Sequence, residues 1–187
     1  MRNNNFIVLY SGGSCGDIVT GIIDPTDATI HPKKSKTKLS TFRSKLKDPQ
    51  KFKNDASKDA FLKKAFKIYK SIPSHDLPYH IKNNHTFVGI KIKKFSNALW
   101  AAERFKNLHD NDIWEEMCKL CGAKSTKDYA QIIFNFGKHL HKLTKYIVSV
   151  EEIISGNADS ILEEMLQIKL SKKSLGLYRS WLDVNDV

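Results

Sequence analysis

A strand, a glycine-rich loop and a helix are predicted by Phe6-Ile-Val-Leu-Tyr-Ser-Gly-Gly-Ser-Cys-Gly-Asp-Ile-Val-Thr-Gly-Ile-Ile-Asp24. The five consecutive apolar residues that open it are typical of a strand buried on both faces, as in a parallel sheet covered by helices. Glycines then end the strand, and the apolar residues after Asp17 follow a helical pattern. This stretch therefore predicts the first strand–loop–helix unit of an α/β fold.

The loop between this strand and helix has the composition of an anion-binding site. Glycines can adopt a positive φ and leave space for a ligand beside the main chain. The free N–H groups and the dipole at the start of a helix favour a phosphate or a sulfate. We therefore expect the phosphate-binding residues of the loop to be Gly12, Gly13, Ser14, Cys15, Gly16 and Asp17.

The loop differs from the ATP-binding pattern G-x-x-x-x-G-K-[ST] at three positions. With Gly16 aligned to the last glycine, Ser11 replaces the first glycine, Asp17 the lysine and Ile18 the hydroxyl residue. The hydroxyl that holds magnesium in ATP sites is therefore missing, and we predict no metal ligand. A structural turn that binds nothing is the alternative interpretation.

Length and composition favour one domain over residues 1–187, with 41% hydrophobic residues to form a core. The chain has no apolar run of the ~18 residues that a membrane helix needs. Its first residues carry no secretory signal, and three cysteines suit a reducing compartment. We therefore expect a cytoplasmic protein that does not bind membranes.

The net charge of +11 is concentrated in one segment of the chain. Residues 33–70 hold fourteen Lys or Arg and three Asp, an excess that equals the charge of the whole chain. Such a segment attracts a phosphorylated ligand, nucleic acid or an acidic partner. We interpret it as a basic helical insertion; the alternative is a solvated face that only keeps the protein soluble.

The remaining elements follow from periodicity and from helix-breaking residues. We predict a short helix within 33–47, a helix over 55–72 that ends before Pro73, and a loop over 73–85. Strands are predicted at 86–92 and 145–150. Between them and after them we predict helices that begin near Ser96, Asp110 or Asp112, Ser125, Ile161 and Leu175. Strands separated by helices indicate a mainly parallel sheet in a three-layer α/β domain.

Three apolar residues of the helix that begins near Asp110, namely Ile113, Met117 and Leu120, are expected to face the core. The same helix contains a C-x-x-C at Cys118 and Cys121. The two downstream histidines, His139 and His141, are two residues apart and would lie on different faces of a helix, so we interpret the cysteines and histidines as packing residues rather than as a zinc site.

The order of these features resembles the P-loop sulfotransferase and nucleotide-kinase group, particularly the short sulfotransferase-like proteins of phages. Residues 9–17 resemble the loop that this family wraps around the 5′-phosphosulfate of its donor. Residues 74–78, Ser-His-Asp-Leu-Pro, are similar to the family's T-H-x-P element. Residues 88–94 and the helix after them resemble the strand and helix that hold the donor's 3′-phosphate.

The resemblance implies a P-loop NTPase-like fold and a transferase that moves a sulfuryl or phosphoryl group from a nucleotide donor to an acceptor hydroxyl. The donor would be 3′-phosphoadenosine 5′-phosphosulfate or ATP. By the resemblance His75 is the base that deprotonates the acceptor. We expect Lys93 and Lys94, or the basic segment, to supply the positive charge that the donor requires. The family's loop carries a lysine or arginine that this loop lacks, and Asp17 adds negative charge instead.

Two other functions remain open. Residues 13–18, Gly-Ser-Cys-Gly-Asp-Ile, are also similar to the G-x-G-D turn of glycosyltransferases that use sugar nucleotides. Alternatively, the chain keeps the fold without catalysis and binds nucleic acid or an acidic protein through residues 33–70. Cys15 lies near a helix N-terminus, where thiolates are stabilised, but we interpret it as a small residue that fits the loop.

Overall fold

The computed structural model describes residues 5–31, 36–47, 52–75 and 85–187. Six strands are present in this part of the chain: β1 (Phe6–Leu9), β2 (Thr29–His31), β3 (Lys36–Lys38), β4 (Ser71–Ser74), β5 (Thr86–Lys91) and β6 (Tyr146–Ser149). The same part has eight α-helices: α1 (Gly16–Ile23), α2 (Asp55–Ala65), α3 (Phe95–Leu108), α4 (Asn111–Cys121), α5 (Thr126–His139), α6 (Val150–Ile154), α7 (Ala158–Leu166) and α8 (Lys172–Asn185). None of these helices has the length and apolar character needed to cross a membrane.

Four strands form a parallel sheet in the order β4-β1-β5-β6. β1 and β5 are neighbours at the centre of the sheet. The next strand of this sheet after β1 is β4, on one side of the central pair, whereas the next strand after β5 is β6, on the other side. In open α/β sheets, a crevice forms outside the carboxyl ends of two such strands, and ligands bind there. The loop after β1 opens into this region.

Both faces of the sheet are buried, which confirms the α/β class with a parallel sheet between helical layers. Phe6 and Val8 pack on one face with α1, α7 and α8. Ile7 and Leu9 pack on the other face with α2. All four residues of β1 are at most 5% exposed, as its unbroken apolar run predicted.

The prediction of a helix over 55–72 is wrong after Ala65, because residues 71–74 form strand β4. Ile72 is fully buried in that strand, whereas Ile68 is 55% exposed. β4 lies at the edge of the sheet and pairs with β1 only. An edge strand tolerates Pro73, because a proline can point its missing donor away from the neighbouring strand.

The prediction of a short helix within 33–47 is right for Arg43–Lys47, which form a 3-10 helix, and wrong for Lys36–Lys38. The latter residues form β3, which pairs with β2 as an antiparallel hairpin. In β3, Thr37 is buried between two more exposed lysines, which is the alternation of a strand. The basic segment therefore contains a strand, a 3-10 helix and α2 in its described parts.

Helix α4 has no fully buried residue, and the expected burial of Leu120 is wrong, since this side chain is 64% exposed. Ile113 is 43% exposed as well. A helical pattern of apolar residues identifies a face, but it does not show that another element covers that face.

Arg43 joins the basic segment to the end of α1. Its side chain is fully buried, and its Nη2 donates to the carbonyl oxygens of Thr20 and Asp24 at 3.1 and 2.8 Å. Its Nε donates to the carbonyl oxygen of Ser71 in β4 at 3.0 Å, and its Nη1 lies 3.2 Å from a carboxylate oxygen of Asp27. The cation thus adds donors to carbonyls at the end of the helix, and it complements the helix dipole.

We expect Arg43→Met to lower the free energy of unfolding by about 3–5 kcal/mol, because the change leaves buried carbonyl and carboxylate oxygens without a donor. Urea denaturation of the full chain measures this loss. Lys63→Met removes the same charge from an exposed position on α2 and is expected to change stability by no more than about 0.5 kcal/mol. Equal stability of the two variants would contradict the structural role of Arg43.

Candidate functional site

A cavity of about 630 Å³ lies where the loop after β1 opens. The loop and the start of α1 form one wall, and His75 enters directly after β4. The hairpin, the 3-10 helix, α3, α4 and α8 supply the other walls. Its size is within the range of small-molecule sites, and its place is that of ligand sites in parallel sheets.

The start of α1 faces this cavity without a side-chain cap. Cys15, which precedes the helix, has φ 65° and ψ 20°, and its side chain makes no capping hydrogen bond among the described residues. Gly13 also has a positive φ, of 86°. A non-glycine residue in the left-handed region is uncommon and strained, and such strain occurs at ligand-binding loops. The first N–H groups of a helix have no partner within it, so the start of α1 is a candidate anion-binding end.

The glycines of the loop are packed closely against the rest of the chain. A Cβ on Gly16 would lie 2.0 Å from the ring of Tyr10, and one on Gly12 would lie 2.5 Å from Tyr129 Oη. A Cβ on Gly13 would lie 2.3 Å from the carbonyl oxygen of Ala101. The three glycines also line the cavity, so the protein's own packing excludes side chains at these positions.

Ser14 and Cys15 have structural surroundings. Ser14 is fully buried, and its Oγ donates to the carbonyl oxygen of Ser11 at 2.6 Å. Burial raises the pKa of the Cys15 thiol to about 11. The thiol is therefore neutral at physiological pH, which agrees with its interpretation as a small residue that fits the loop.

Asp17 is neutralised by a residue of the basic segment. Lys47 Nζ lies 3.1 and 3.0 Å from the two carboxylate oxygens of Asp17, and Tyr10 Oη donates to one of them at 2.5 Å. Burial alone would raise the pKa of Asp17, but the charge of Lys47 and these hydrogen bonds lower it. The unexpected negative charge in the loop is thus compensated by a lysine thirty residues away in the sequence.

His75 lines the same cavity, in agreement with its predicted place near the loop. Its ring contacts the ring of Tyr10 edge to face, with centroids 4.6 Å apart. Burial, and to a smaller extent the charge of Lys47, lower the pKa of His75 to about 4, whereas the charge of Asp17 opposes the shift. At neutral pH the imidazole is therefore uncharged and able to accept a proton.

Four cationic side chains and one carboxylate are among the described residues that line the cavity. The carboxylate is Asp17, and the cations are Lys36, Lys45, Lys47 and Arg104. Sequence reasoning found none of these four as individual site residues. Three belong to the basic segment, which was the available signal, whereas nothing in the sequence distinguishes Arg104 from other residues on a polar helix face.

Lys93 and Lys94 lie at another place, the corner between β5 and α3. Lys93 Nζ donates to Glu152 at 2.7 Å, and the backbone N–H groups of both lysines donate to Glu151. Neither lysine is among the residues that line the cavity. The structure therefore does not bring these two predicted donor ligands to the loop.

Thr37 of β3 lines the cavity beside Lys36. The residue is 4% exposed, and its Oγ1 has no hydrogen-bond partner among the described residues. A buried hydroxyl without a partner is costly, so such groups are uncommon unless a ligand or water completes them.

Cys118 and Cys121 lie on α4, and both side chains are partly exposed free thiols. His139 ends α5, and His141 lies in the 3-10 turn after it. Within the described part of the chain, no group of three or more potential ligands is placed to hold a metal ion.

We expect the pKa of His75 to be near 4 in the native chain, against about 6.5 in the unfolded chain. Because the native pKa is the lower one, this histidine stabilises the fold fully above about pH 6.5, and the stabilisation is lost as the pH falls toward 4. Two-dimensional NMR of the imidazole protons in native chain and in urea measures both values. A native pKa above 6 would show that His75 is solvated.

Thr37→Val is expected to raise the free energy of unfolding by about 1 kcal/mol, because valine has the shape of threonine without the unpaired hydroxyl. Thermal or urea unfolding of the chain without ligand measures the change. A loss of stability would instead show that Oγ1 is hydrogen-bonded in solution. Ser40→Ala is the matched control, because its hydroxyl is paired, at 3.1 Å from Tyr69 Oη, and its loss is expected to be destabilising.

Comparison with known proteins does not add to this description. No protein-family model matches the chain, and neither a curated protein nor a solved structure matches it. The α/β architecture and the site therefore stand on the geometry described above, and the resemblance to sulfotransferases stays a prediction.

Proposed function

We propose that this chain binds a nucleotide donor in the cavity and transfers its sulfuryl or phosphoryl group to an acceptor hydroxyl. One observation carries the proposal: the uncapped start of α1, an excess of cationic side chains and an uncharged histidine meet in one cavity. Each of these is a requirement of anionic group transfer. An anion must be held, its charge must be compensated, and a proton must leave the acceptor.

The anion would be held by the first N–H groups of α1 and by the helix dipole. Lys45 and Lys36 line the cavity from the 3-10 helix and from β3, and they would compensate the charge of the transferred group. Lys47 already pairs with Asp17, so we assign it to holding the loop in shape. In phosphate loops of the P-loop type, a lysine within the loop compensates this charge. Lys36 and Lys45 would do so here.

In the reaction, the acceptor oxygen attacks the sulfur or phosphorus atom. A new bond forms to the acceptor oxygen, and the bond between the transferred group and the donor's phosphate oxygen breaks. The leaving phosphate keeps the electron pair of that bond, and His75 accepts the proton of the acceptor hydroxyl. Donor, acceptor and imidazole together supply every atom, electron pair and proton of this step.

The low pKa of His75 belongs to the cavity without a ligand. Burial and the charge of Lys47 both disfavour the imidazolium there. A bound anion adds negative charge close to these groups and so raises the pKa of the histidine. Donor binding would thus make His75 a stronger base at the moment when a base is required.

A second candidate is a non-catalytic protein that binds nucleic acid or an acidic partner. It is favoured by three exposed lysines that do not line the cavity. They lie on α2 and in the turn after it: Lys63, Lys64 and Lys67. Such exposed cations bind phosphate groups without sequence preference and with a strong dependence on salt.

We expect 3′-phosphoadenosine 5′-phosphate or ATP to raise the melting temperature of the chain, and Lys45→Gln to reduce the binding constant about tenfold. Lys63→Gln is the matched control, because it removes the same charge from the same basic segment outside the cavity. Calorimetric titration of both variants measures the difference. The second candidate would be favoured if both variants bound the nucleotide equally weakly. It would also be favoured if the chain bound short DNA and only Lys63→Gln weakened that binding.

For catalysis, His75→Ala should keep the binding of the nucleotide within about threefold and should lower the rate of transfer by about 10²-fold or more. Undiminished transfer in this variant would remove the assignment of His75 as the base. Nucleotide binding without any transfer would reduce the proposal to a nucleotide-binding protein.

A further inference from the structure

Two cysteines at the end of α4, Cys118 and Cys121, have no part in the proposed reaction. Both are free thiols, and both are partly exposed. Neither is among the described residues that line the cavity. Free cysteine is one of the most buried residue types in proteins, so two partly exposed thiols within one helical turn are unusual.

Helical spacing places these two thiols side by side. Both residues belong to the last turn of α4, which ends before Gly122 in the left-handed region. Residues three apart on a helix are neighbours on one face, with Cβ atoms about 5–6 Å from each other. Cys121 Sγ points back along the helix and donates to the carbonyl oxygen of Cys118 at 3.6 Å. The second sulfur therefore lies over the turn that carries the first.

This spacing suits an atom bound between the two sulfurs better than a direct bond between them. A disulfide needs Cβ atoms about 3.5–4.5 Å apart, which is closer than the helical spacing. An ion that bonds to each thiolate at about 2.3 Å, the length of a zinc–sulfur bond, lets the two sulfurs stay up to about 4.6 Å apart. The helix therefore keeps its shape when such an ion joins the pair.

The number of ligands decides which ions fit. Among the residues that the structure describes, no group of three His, Cys, Asp or Glu side chains is placed to hold a metal ion. Structural zinc takes four protein ligands, so the pair alone does not make a zinc site. Soft ions and metalloids, such as Cu(I) and trivalent arsenic, prefer thiolates and form stable complexes with two of them.

The surroundings of Cys118 favour an ion that replaces both thiol protons. Burial raises the pKa of Cys118, the neighbouring Cys121 and Glu115 also raise it, and the charge of Lys106 opposes the shift. Two thiolates without an ion would repel each other, and the negative end of the α4 dipole disfavours both. An ion bound between the sulfurs removes this repulsion.

We infer that Cys118 and Cys121 form a chelating dithiol site, which binds a soft thiophilic ion or metalloid between the two sulfurs at the end of α4. This site does not depend on the proposed transfer reaction. With phenylarsine oxide, two sulfur–arsenic bonds form and the bond between arsenic and oxygen breaks. The oxygen leaves as water with the two thiol protons, and no atom is oxidised or reduced.

Phenylarsine oxide is the probe, and native mass spectrometry of the full, reduced chain is the measurement. We expect one phenylarsenic group per chain, which the dithiol 2,3-dimercaptopropanol removes and the monothiol 2-mercaptoethanol does not. Cys118→Ser and Cys121→Ser should each weaken binding by about 100-fold or more, because the second bond is no longer intramolecular. Each single variant still contains two cysteines, one of which is Cys15, so the number of thiols alone does not explain a loss.

The double variant Cys118→Ser/Lys119→Cys is the matched control for the helical spacing. It keeps two cysteines in α4, but they are two residues apart and do not face each other on a helix. We expect it to bind phenylarsine oxide about tenfold or more weakly than the natural chain, because the two thiols meet only if the last turn unwinds. Far-UV circular dichroism of each variant confirms that the helices are retained.

Trp114 reports where the probe binds. It lies one turn before Cys118 on α4 and packs on Tyr129, with ring centroids 5.2 Å apart. We expect phenylarsine oxide to quench the tryptophan fluorescence of the natural chain. Trp114→Phe should remove this quenching and keep the mass of the adduct.

The inference is wrong if the reduced chain forms no adduct, or if a single cysteine variant binds the probe as tightly as the natural chain. It is also wrong if the double variant binds equally well, or if the two cysteines form a disulfide in air and take up no arsenic after reduction. None of these results bears on nucleotide binding or transfer. Conversely, a chain that binds no nucleotide would remove the proposed function and leave the dithiol site in place.

Discussion

The buried guanidinium of Arg43 fixes the element on which the site depends. It donates to carbonyl oxygens at the end of α1 and also to β4, so it holds a helix, an edge strand and the basic segment in one arrangement. Because α1 is only eight residues long, fixing its carboxyl end also fixes the direction of its amino end. The loop at that end lines the cavity. A cation near the carboxyl end of α1 complements the same helix dipole that favours an anion at the amino end.

The described cations of residues 33–70 differ in their surroundings. Arg43 stabilises the interior, and Lys47 neutralises Asp17 in the loop. Lys36 and Lys45 line the cavity, and Lys63 and Lys64 of α2 are exposed to solvent. A net charge read from a sequence predicts attraction to anions, but it does not show which cations are buried, which line a cavity and which remain on the surface.

The sequence was sufficient for the features that depend on local pattern. Hydrophobic pattern and turn residues predicted β1, the loop, α1, the strands β5 and β6 and a mainly parallel sheet. β4 was missed because Pro73 is a poor strand residue in general and is acceptable only at the edge of a sheet, a place that the order of the strands decides. The hairpin was missed because the β2–β3 pairing that stabilises it joins two stretches separated by Pro32.

The candidate site was predictable in its loop and in His75, and less so in its cations. Lys93 follows its strand as the resemblance required, but Glu152 lies near enough to bind it. Arg104 and Lys45 reach the cavity through the packing of α3 and of the 3-10 helix, which no local pattern encodes. Contacts between distant segments determine which charges meet, and these contacts exist only in the folded chain.

The ring of Tyr10 lies where any side chain at position 16 would have to be. The last residue before the loop and the first residue of the helix after it are therefore packed as a pair. A larger residue at position 16 would require a smaller one at position 10. The loop is thus structurally inseparable from its strand, and transferring it to another scaffold would require transferring the tyrosine as well.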